Sequence, residues 1–392
     1  MELERPKRHT VTELCRELVR IPSPSGGEGD IARFLKSRSE RFDLDEVFID
    51  DFGNVILEKN SSIGTGPRIH FDGHLDTVGI TQKENWKHEP FGAEIFEGKL
   101  FGRGAADMKG PLAAMICAIA FLPRKSFRGS LCLSATTGEE VLEGAALLRV
   151  LEERPCDWMI IGEGTSLNLG VSQKGRVTVK IVTSGKAAHS SSPTLGTNAV
   201  YEMVEAIERI RRLDLPKSTE EGLAFMELNE IQSSPLPSSG MIPDHCKTIW
   251  DRRLLQNEDK DEVLEELKRI LKYLPTARVF YEDGVFVTYN GKTLNIPNDY
   301  HPAWRIAKGS RLSKVALSVL KDHSLPSPKR AIHYCSNGSV SSGRLKIPTI
   351  ILGPGDPSVF HQVDEYIELE ELWKAVEVYM DLIVRLSNNE AM

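Results

Sequence analysis

The chain of 392 residues has no apolar run near the ~18 residues that would suggest a membrane-spanning helix. Its start, Met1-Glu2-Leu3-Glu4-Arg5-Pro6-Lys7-Arg8, lacks the apolar core of a secretory leader. Six cysteines (Cys15, Cys117, Cys132, Cys156, Cys246, Cys335) are scattered with no Cys-x-x-Cys pair. That argues against a cysteine zinc site and predicts reduced, buried thiols in a cytoplasmic protein. Basic residues form no block: 49 Lys and Arg stand against 56 Asp and Glu, a formal charge of −7, so no nucleic-acid surface is expected. No membrane partner is expected either. Internal repeats, low-complexity tracts and a phosphate-loop motif are also missing.

What is present is an ordinary globular composition, 40% hydrophobic and 27% charged. The length suits two or three domains, or one large core with an insertion. Periodicity predicts helices over 13–20 and 26–42, a hairpin over 47–58 turning at Asp51-Phe52-Gly53-Asn54, and a strand at Arg68-Ile69-His70-Phe71. A second hairpin (93–101), a buried small-residue helix (110–122), a strand (130–137), a helix (142–151) and a strand (158–162) follow. From 175 to 287 the order changes to strand, helix, strand, strand, helix, strand, the ferredoxin-like split motif. The α/β pattern then resumes with a helix (312–321), strands (331–334, 348–353) and a helix (369–386). Asn290 to Asp299 reads as a linker. The fold class is therefore α/β, a domain split in sequence (1–174 and 288–392) around a central mixed sheet flanked by helices, with a βαββαβ domain (175–287) inserted.

Polar residues recur just past apolar strands. His74 and Asp76 follow the strand ending at Phe71, and Glu139 and Glu140 follow the strand 130–137. Glu163 follows the strand 158–162, and His361 follows the strand 348–353 through a Gly-Pro-Gly loop. The carboxyl edge of an open α/β sheet is where ligands bind. Asp107 joins them from the loop Gly102-Arg103-Gly104-Ala105-Ala106-Asp107, which fails the dinucleotide fingerprint at its third glycine. Each piece alone has an ordinary reading: a structural His-x-Asp, or a Glu-Glu helix cap. Together, five carboxylates and two imidazoles require cations, because two like charges ~4 Å apart repel by about 4 kcal/mol at an effective dielectric near 20. Such donors suit zinc, cobalt or manganese better than calcium or magnesium.

The joint pattern, His74-Leu75-Asp76, Gly102 to Gly110 (GRGAADMKG), Thr137-Gly138-Glu139-Glu140, Gly162-Glu163 and Phe360-His361, resembles one family over nearly the whole chain. It is that of the co-catalytic zinc hydrolases of the acetylornithine deacetylase, succinyl-diaminopimelate desuccinylase, aminoacylase and carboxypeptidase G type. The resemblance implies two divalent ions, zinc first with cobalt or manganese as alternatives. One is held by His74, Asp107 and Glu163, the other by Asp107, Glu140 and His361. It also implies Asp76 on the free ring nitrogen of His74, Glu139 as general base on water, and a cis peptide at Asp107–Met108. The inserted domain is implied to be a lid and dimerisation domain, so a homodimer is expected. His189 resembles the family's lid histidine, which reaches the partner's site, and Arg253 of Asp251-Arg252-Arg253 resembles its carboxylate-gripping arginine.

Two departures bear on substrate. Gly240 stands where the family offers Asn, and Cys335-Ser336-Asn337-Gly338-Ser339 replaces a Gly-Thr-Asp-type loop. Ser336, Asn337 and Gly338 are thus expected to read the substrate, and they look more like the YgeY-type branch linked to selenium metabolism. The expected reaction is cleavage of the amide of a small N-acyl amino acid or short peptide with a free carboxylate. Alternatives are a dipeptidase or carboxypeptidase, a carbamoyl (ureido-acid) amidohydrolase, or a non-catalytic dimeric scaffold.

Overall fold

A computed structural model describes residues 7–237, 240–326 and 328–388. Met1–Pro6, the start expected to lack a secretory leader, lies outside them. The chain divides into two compact units. The first comprises Met1–Gln173, Val285–Leu294 and Trp304–Met392, the second Lys174–Gly284 and Asn295–Ala303. The first boundary falls one residue before the expected one. The second is not a single crossing: the chain enters the first unit at Val285, returns at Asn295 and leaves again at Trp304. The segment expected to be a linker is instead part of a hairpin, Gly284–Val287 with Thr293–Ile296, whose tip carries Asn290-Gly291. Gly291 there adopts φ +84°, a conformation that glycine takes at no steric cost.

The first unit is built on a nine-stranded mixed sheet. Its order is Glu46–Ile49, Val55–Asn60, Ser130–Thr136, Arg68–His74, Trp158–Ile161, Thr349–Ile351, Leu169–Gln173 and Trp304–Arg305, with Lys329–Ile332 also paired to Leu169–Gln173. Four neighbours, Ser130–Thr136, Arg68–His74, Trp158–Ile161 and Thr349–Ile351, run parallel. Their carboxyl ends therefore reach the same edge. The strand from Arg68 runs three residues further than its apolar run suggests and ends on His74 itself. Leu169–Gln173 is buried throughout but is short and half polar, so no periodicity reveals it.

Helix Gly110–Phe121 is buried all round except at its last residue, as its uncharged sequence GPLAAMICAIAF dictates. Helices Arg8–Val19 and Leu369–Ser387 pack against it. Close approach also shapes the strand ends. A side chain at Gly73 or Gly162 would run into Met108 and Met115, which pack directly on both backbones.

In the second unit, strand Gly175–Ser184, helix Ala199–Arg211, strands Phe225–Ser234 and His245–Leu254, helix Lys260–Leu271 and strand Ala277–Tyr281 follow in that order. The antiparallel sheet is ordered Phe225–Ser234, His245–Leu254, Gly175–Ser184, Ala277–Tyr281. Strand Gly175–Ser184 alternates strictly, turning Val177, Val179 and Ile181 into the core against Met203, Ala206 and Ile210 of the first helix. Among the described residues no helix is long and apolar enough to cross a membrane.

Candidate metal centre

Parallel strands deliver the first donors. His74 ends its strand, Glu139 and Glu140 follow Thr136 through Thr137-Gly138, and Glu163 lies two residues past Ile161. Gly138 makes the turn at φ +66°, where a Cβ would strike the Phe286 ring. Asp107 comes from the loop before helix Gly110–Phe121, and its peptide bond to Met108 is cis as expected. His361 arrives from a loop well beyond Ile351.

These residues meet. His74 Nε2 lies 3.1 Å from Asp107 Oδ1, 3.4 Å from Glu163 Oε1 and 3.9 Å from Glu139 Oε2. His361 Nε2 lies 3.2 Å from Asp107 Oδ2 and 3.0 Å from Glu140 Oε2. Asp107 thus turns one oxygen to each imidazole. Two overlapping sets, His74 with Glu139 and Glu163 and His74 with Asp107 and Glu140, have donor atoms all within 4.8 Å of one another. His74 thus meets Asp107 and Glu163, and His361 meets Asp107 and Glu140, the residues with which each is expected to share an ion.

Asp76 sits one step back and differs from expectation in detail. His74 Nδ1 donates to the Asp76 backbone carbonyl at 2.9 Å, whereas the carboxylate Oδ1 is 3.5 Å away. That carboxylate accepts instead from the backbone N–H groups of Glu139 and Glu140 (3.1 Å each) and from Ser25 Oγ (2.7 Å). Asp76 therefore sets both the His74 tautomer, by its carbonyl, and the Glu139-Glu140 turn, by its side chain.

Burial raises Glu139 well above the ordinary carboxyl range, raises Glu163, and lifts Glu140 to about 7. His74 would be lowered by burial, but the carboxylates of Asp107, Asp76 and Glu163 hold it well above the usual imidazole value. Hydrogen bonds to Asp107 and Glu140 lift His361 to about 10. Carboxyl groups pushed up by burial, beside imidazoles held up by carboxylates, mark a cluster whose charge divalent cations would balance. Glu139 Oε1 and Glu140 Oε1 are buried with no hydrogen-bond partner, an arrangement that is costly unless a cation faces it. The donor set fits divalent metal ions.

The loop at 335–339 departs from expectation. Ser336 and Asn337 are buried in the first unit and their polar atoms are already used. Ser336 Oγ donates to Gln173 Oε1 at 2.6 Å. Asn337 Nδ2 donates to Asp72 Oδ2 (2.8 Å) and Thr136 Oγ1 (3.1 Å), and its Oδ1 accepts from Gly144 N–H. The other Asp72 oxygen accepts from Ser134 Oγ, which is linked to His70 Nε2. Gly338 packs under Trp304. The side chains of Ser336 and Asn337 tie strands together beneath the centre rather than presenting donors to a substrate, because buried Gln173 and Asp72 take those donors.

His189 and Arg253 belong to the second unit. His189 is exposed, with its Nδ1 2.8 Å from Ser191 Oγ and 3.1 Å from Ser191 N. Arg253 is bound bidentately to Asp251, with Nε to Oδ1 and Nη2 to Oδ2 both at 2.9 Å. Gly240 is exposed at φ +66°, and its carbonyl accepts from Ser190 N–H at 2.9 Å. All six cysteines are free.

Sequence reasoning missed Arg103 and Glu365. Both are buried and paired at 2.7 Å, and Glu365 also accepts from the N–H groups of Ala106 and Asp107. Only the position of Arg103 inside the Gly-rich motif hinted at them.

Known proteins resemble this chain over most of its length. The Escherichia coli (strain K12) protein YgeY, itself uncharacterized, is 27% identical over 375 residues, covering 93% of this chain and 90% of its own. A Staphylococcus epidermidis protein named as a probable succinyl-diaminopimelate desuccinylase is 26% identical over 406 residues, covering 94% of this chain and 96% of its own. The crystal structure of Bacillus subtilis YXEP, titled a dinuclear metal binding peptidase from M20 family, superposes with a TM-score of 0.71 at 14% identity, covering 98% of this chain and 99% of that one. Residues 70–385 match the model of peptidase family M20/M25/M40. The chain belongs to that family and is a hydrolase of amide bonds.

Proposed function

We propose that the chain is a dinuclear metal-dependent hydrolase that cleaves the amide of a small N-acyl amino acid or short peptide with a free carboxylate. The observation that carries this reading is Asp107, with one oxygen toward His74 and the other toward His361. His74, Asp107 and Glu163 hold one ion and Asp107, Glu140 and His361 the other, with zinc, cobalt or manganese matching the nitrogen and carboxylate donors. Bound there, the ions supply Lewis acidity toward the scissile carbonyl and toward water. Glu139 takes the proton from the attacking water and returns it to the departing amine, work suited to a buried carboxyl beside the reacting atoms. Asp76 keeps Glu139 aimed through its hold on the Glu139 and Glu140 backbone.

The second unit is read as a ferredoxin-like lid and dimerisation domain. Its edge strand Phe225–Ser234 and helix Ala199–Arg211 leave Ile231, Tyr201 and Val204 exposed, apolar surface that a second copy of the chain would cover. In that reading His189 donates a hydrogen bond to the oxyanion in the partner's site, and Arg253 grips the substrate carboxylate. The free, mostly buried thiols support a cytoplasmic setting. The names of the desuccinylase relative and of the YXEP structure support an acyl-amino-acid or peptide substrate without choosing between them.

The test is primary-amine release from N-acetyl, N-succinyl and N-carbamoyl amino acids and dipeptides by zinc- or cobalt-loaded protein. One class should turn over, and a chelator should abolish it. No turnover by protein verified to hold two ions would overturn the substrate reading.

A further inference from the structure

The bridging carboxylate and His361 both sit on loops, and loops do not hold metal ligands to a few tenths of an ångström unaided. The structure contains a device that joins these two loops. Strand Tyr366–Glu368 pairs antiparallel with Lys99–Phe101, with Tyr366 opposite Phe101. One residue further along that register, Gly102 N–H donates to the Glu365 carbonyl at 2.8 Å. Glu365 is thereby delivered to the start of the Gly102–Asp107 loop, four residues after His361.

Its carboxylate is fully buried and fully used. Oε1 accepts from Ala106 N–H at 2.9 Å and Asp107 N–H at 3.0 Å. Oε2 accepts from Arg103 Nη1 at 2.7 Å. Arg103 is buried too, lies 5.3 Å from the Trp86 ring centroid, and extends Nη2 to the His361 carbonyl at 3.4 Å. That carbonyl belongs to a residue at φ +62°, a left-handed conformation that is uncommon outside glycine. One ion pair thus touches the backbone of the bridging residue and the backbone of the rim histidine.

We propose that Arg103 and Glu365 are positioning residues that lock the Asp107 and His361 loops in register, so that the ion shared by Asp107, Glu140 and His361 binds tightly. The proposal rests on the dinuclear reading above. Neither residue touches the reacting atoms. Their work is to hold the ligands in place before an ion arrives, and removing such support typically weakens metal binding by about 10–100-fold.

The test is titration of the metal-free chain with Co(II) or Zn(II), for the wild type, for Arg103→Lys and for the paired Arg103→Met/Glu365→Gln. The pair leaves no lone buried charge. The wild type should take up two ions. The paired variant should fold, by circular dichroism and cooperative unfolding, yet bind its second ion about 10–100-fold more weakly. It should also give an altered visible spectrum with cobalt. Arg103→Lys keeps the charge but cannot reach both partners, and should weaken the same ion by roughly tenfold, the lower end of that range. Val315→Ala, a cavity in the core, should lower the unfolding midpoint and leave both affinities unchanged, which separates positioning from general destabilisation. A folded paired variant with wild-type affinities and spectrum would overturn the proposal while leaving the dinuclear reading intact. If the pair does not fold, Arg103→Lys with wild-type affinity and spectrum overturns it equally. A wild type that takes up fewer than two ions would sink the dinuclear reading, and this proposal with it.

Discussion

The two sides of the metal centre are built from different kinds of backbone. His74 and Glu163 stand at the ends of adjacent parallel strands, and the side chain of His74 is only 1% exposed. His361 comes from a loop, in a left-handed conformation, with half of its side chain exposed. On the first side, sheet hydrogen bonds fix the ligands as a by-product of folding. On the second, nothing regular does so, and an arginine and a glutamate from two further segments supply the constraint. A site that must bind metal firmly and still admit substrate gains from that asymmetry: a rigid wall at the sheet edge, and a supported rim open to solvent.

Four variants sharpen or break this picture. The largest effect is expected for Asp107→Ala, which removes the residue common to both sides. The chain should lose both ions and all measurable turnover, as read by metal analysis and amine release; retention of either ion at full affinity would show that the sides are independent. Glu139→Gln should keep both ions and lose about 10²–10⁴-fold in turnover. A variant that retains full activity would remove Glu139 from its role as base.

Asn337→Ala tests whether the layer beneath the sheet edge is structural. It strips one donor from buried Asp72, so unfolding should become easier by about 1–3 kcal/mol in urea titration, with KM unchanged. A large rise in KM with stability unchanged would return Asn337 to the substrate.

The smallest effect is expected at Glu28. Its Oε1 accepts from Gly138 N–H at 3.0 Å. Burial, with help from nearby Asp76, raises its pKa from 4.5 to about 7. Between those values the folded chain keeps a proton that the unfolded chain has released. Its contribution to stability therefore falls as pH rises through that window and is level above it. Glu28→Gln should match the wild type near pH 4.5 and be the more stable above about pH 7. Parallel stability profiles across that range would contradict the assignment.

The ligands on both sides of the centre were legible. Short apolar strands with a polar residue past each end marked His74, Glu139, Glu140, Glu163 and His361, the carboxyl-edge rule brought them together, and the Gly-rich loop added Asp107. The strand, helix, strand, strand, helix, strand order of the second unit was equally plain, because its strands alternate and its helices keep one apolar face. Residues whose meaning is a distant partner were not legible. Glu365 reads as one acid among many until Arg103, 262 positions away, is beside it. Asn337 was expected to read the substrate because Asp72, 265 positions away, gives no local sign that it is buried and takes a donor from it. Asp76 was recognised as the neighbour of His74, but which of its oxygens faces the ring is a matter of a fraction of an ångström that spacing does not encode.

The most direct test of the account is to count metal ions per chain by native mass spectrometry while a chelator is raised stepwise, with amine release followed in parallel. The account predicts two ions per wild-type chain, lost in two steps, with the more exposed His361 side emptying first and turnover falling with that first loss. A single ion sustaining full turnover, or two ions lost with no change in turnover, would contradict it.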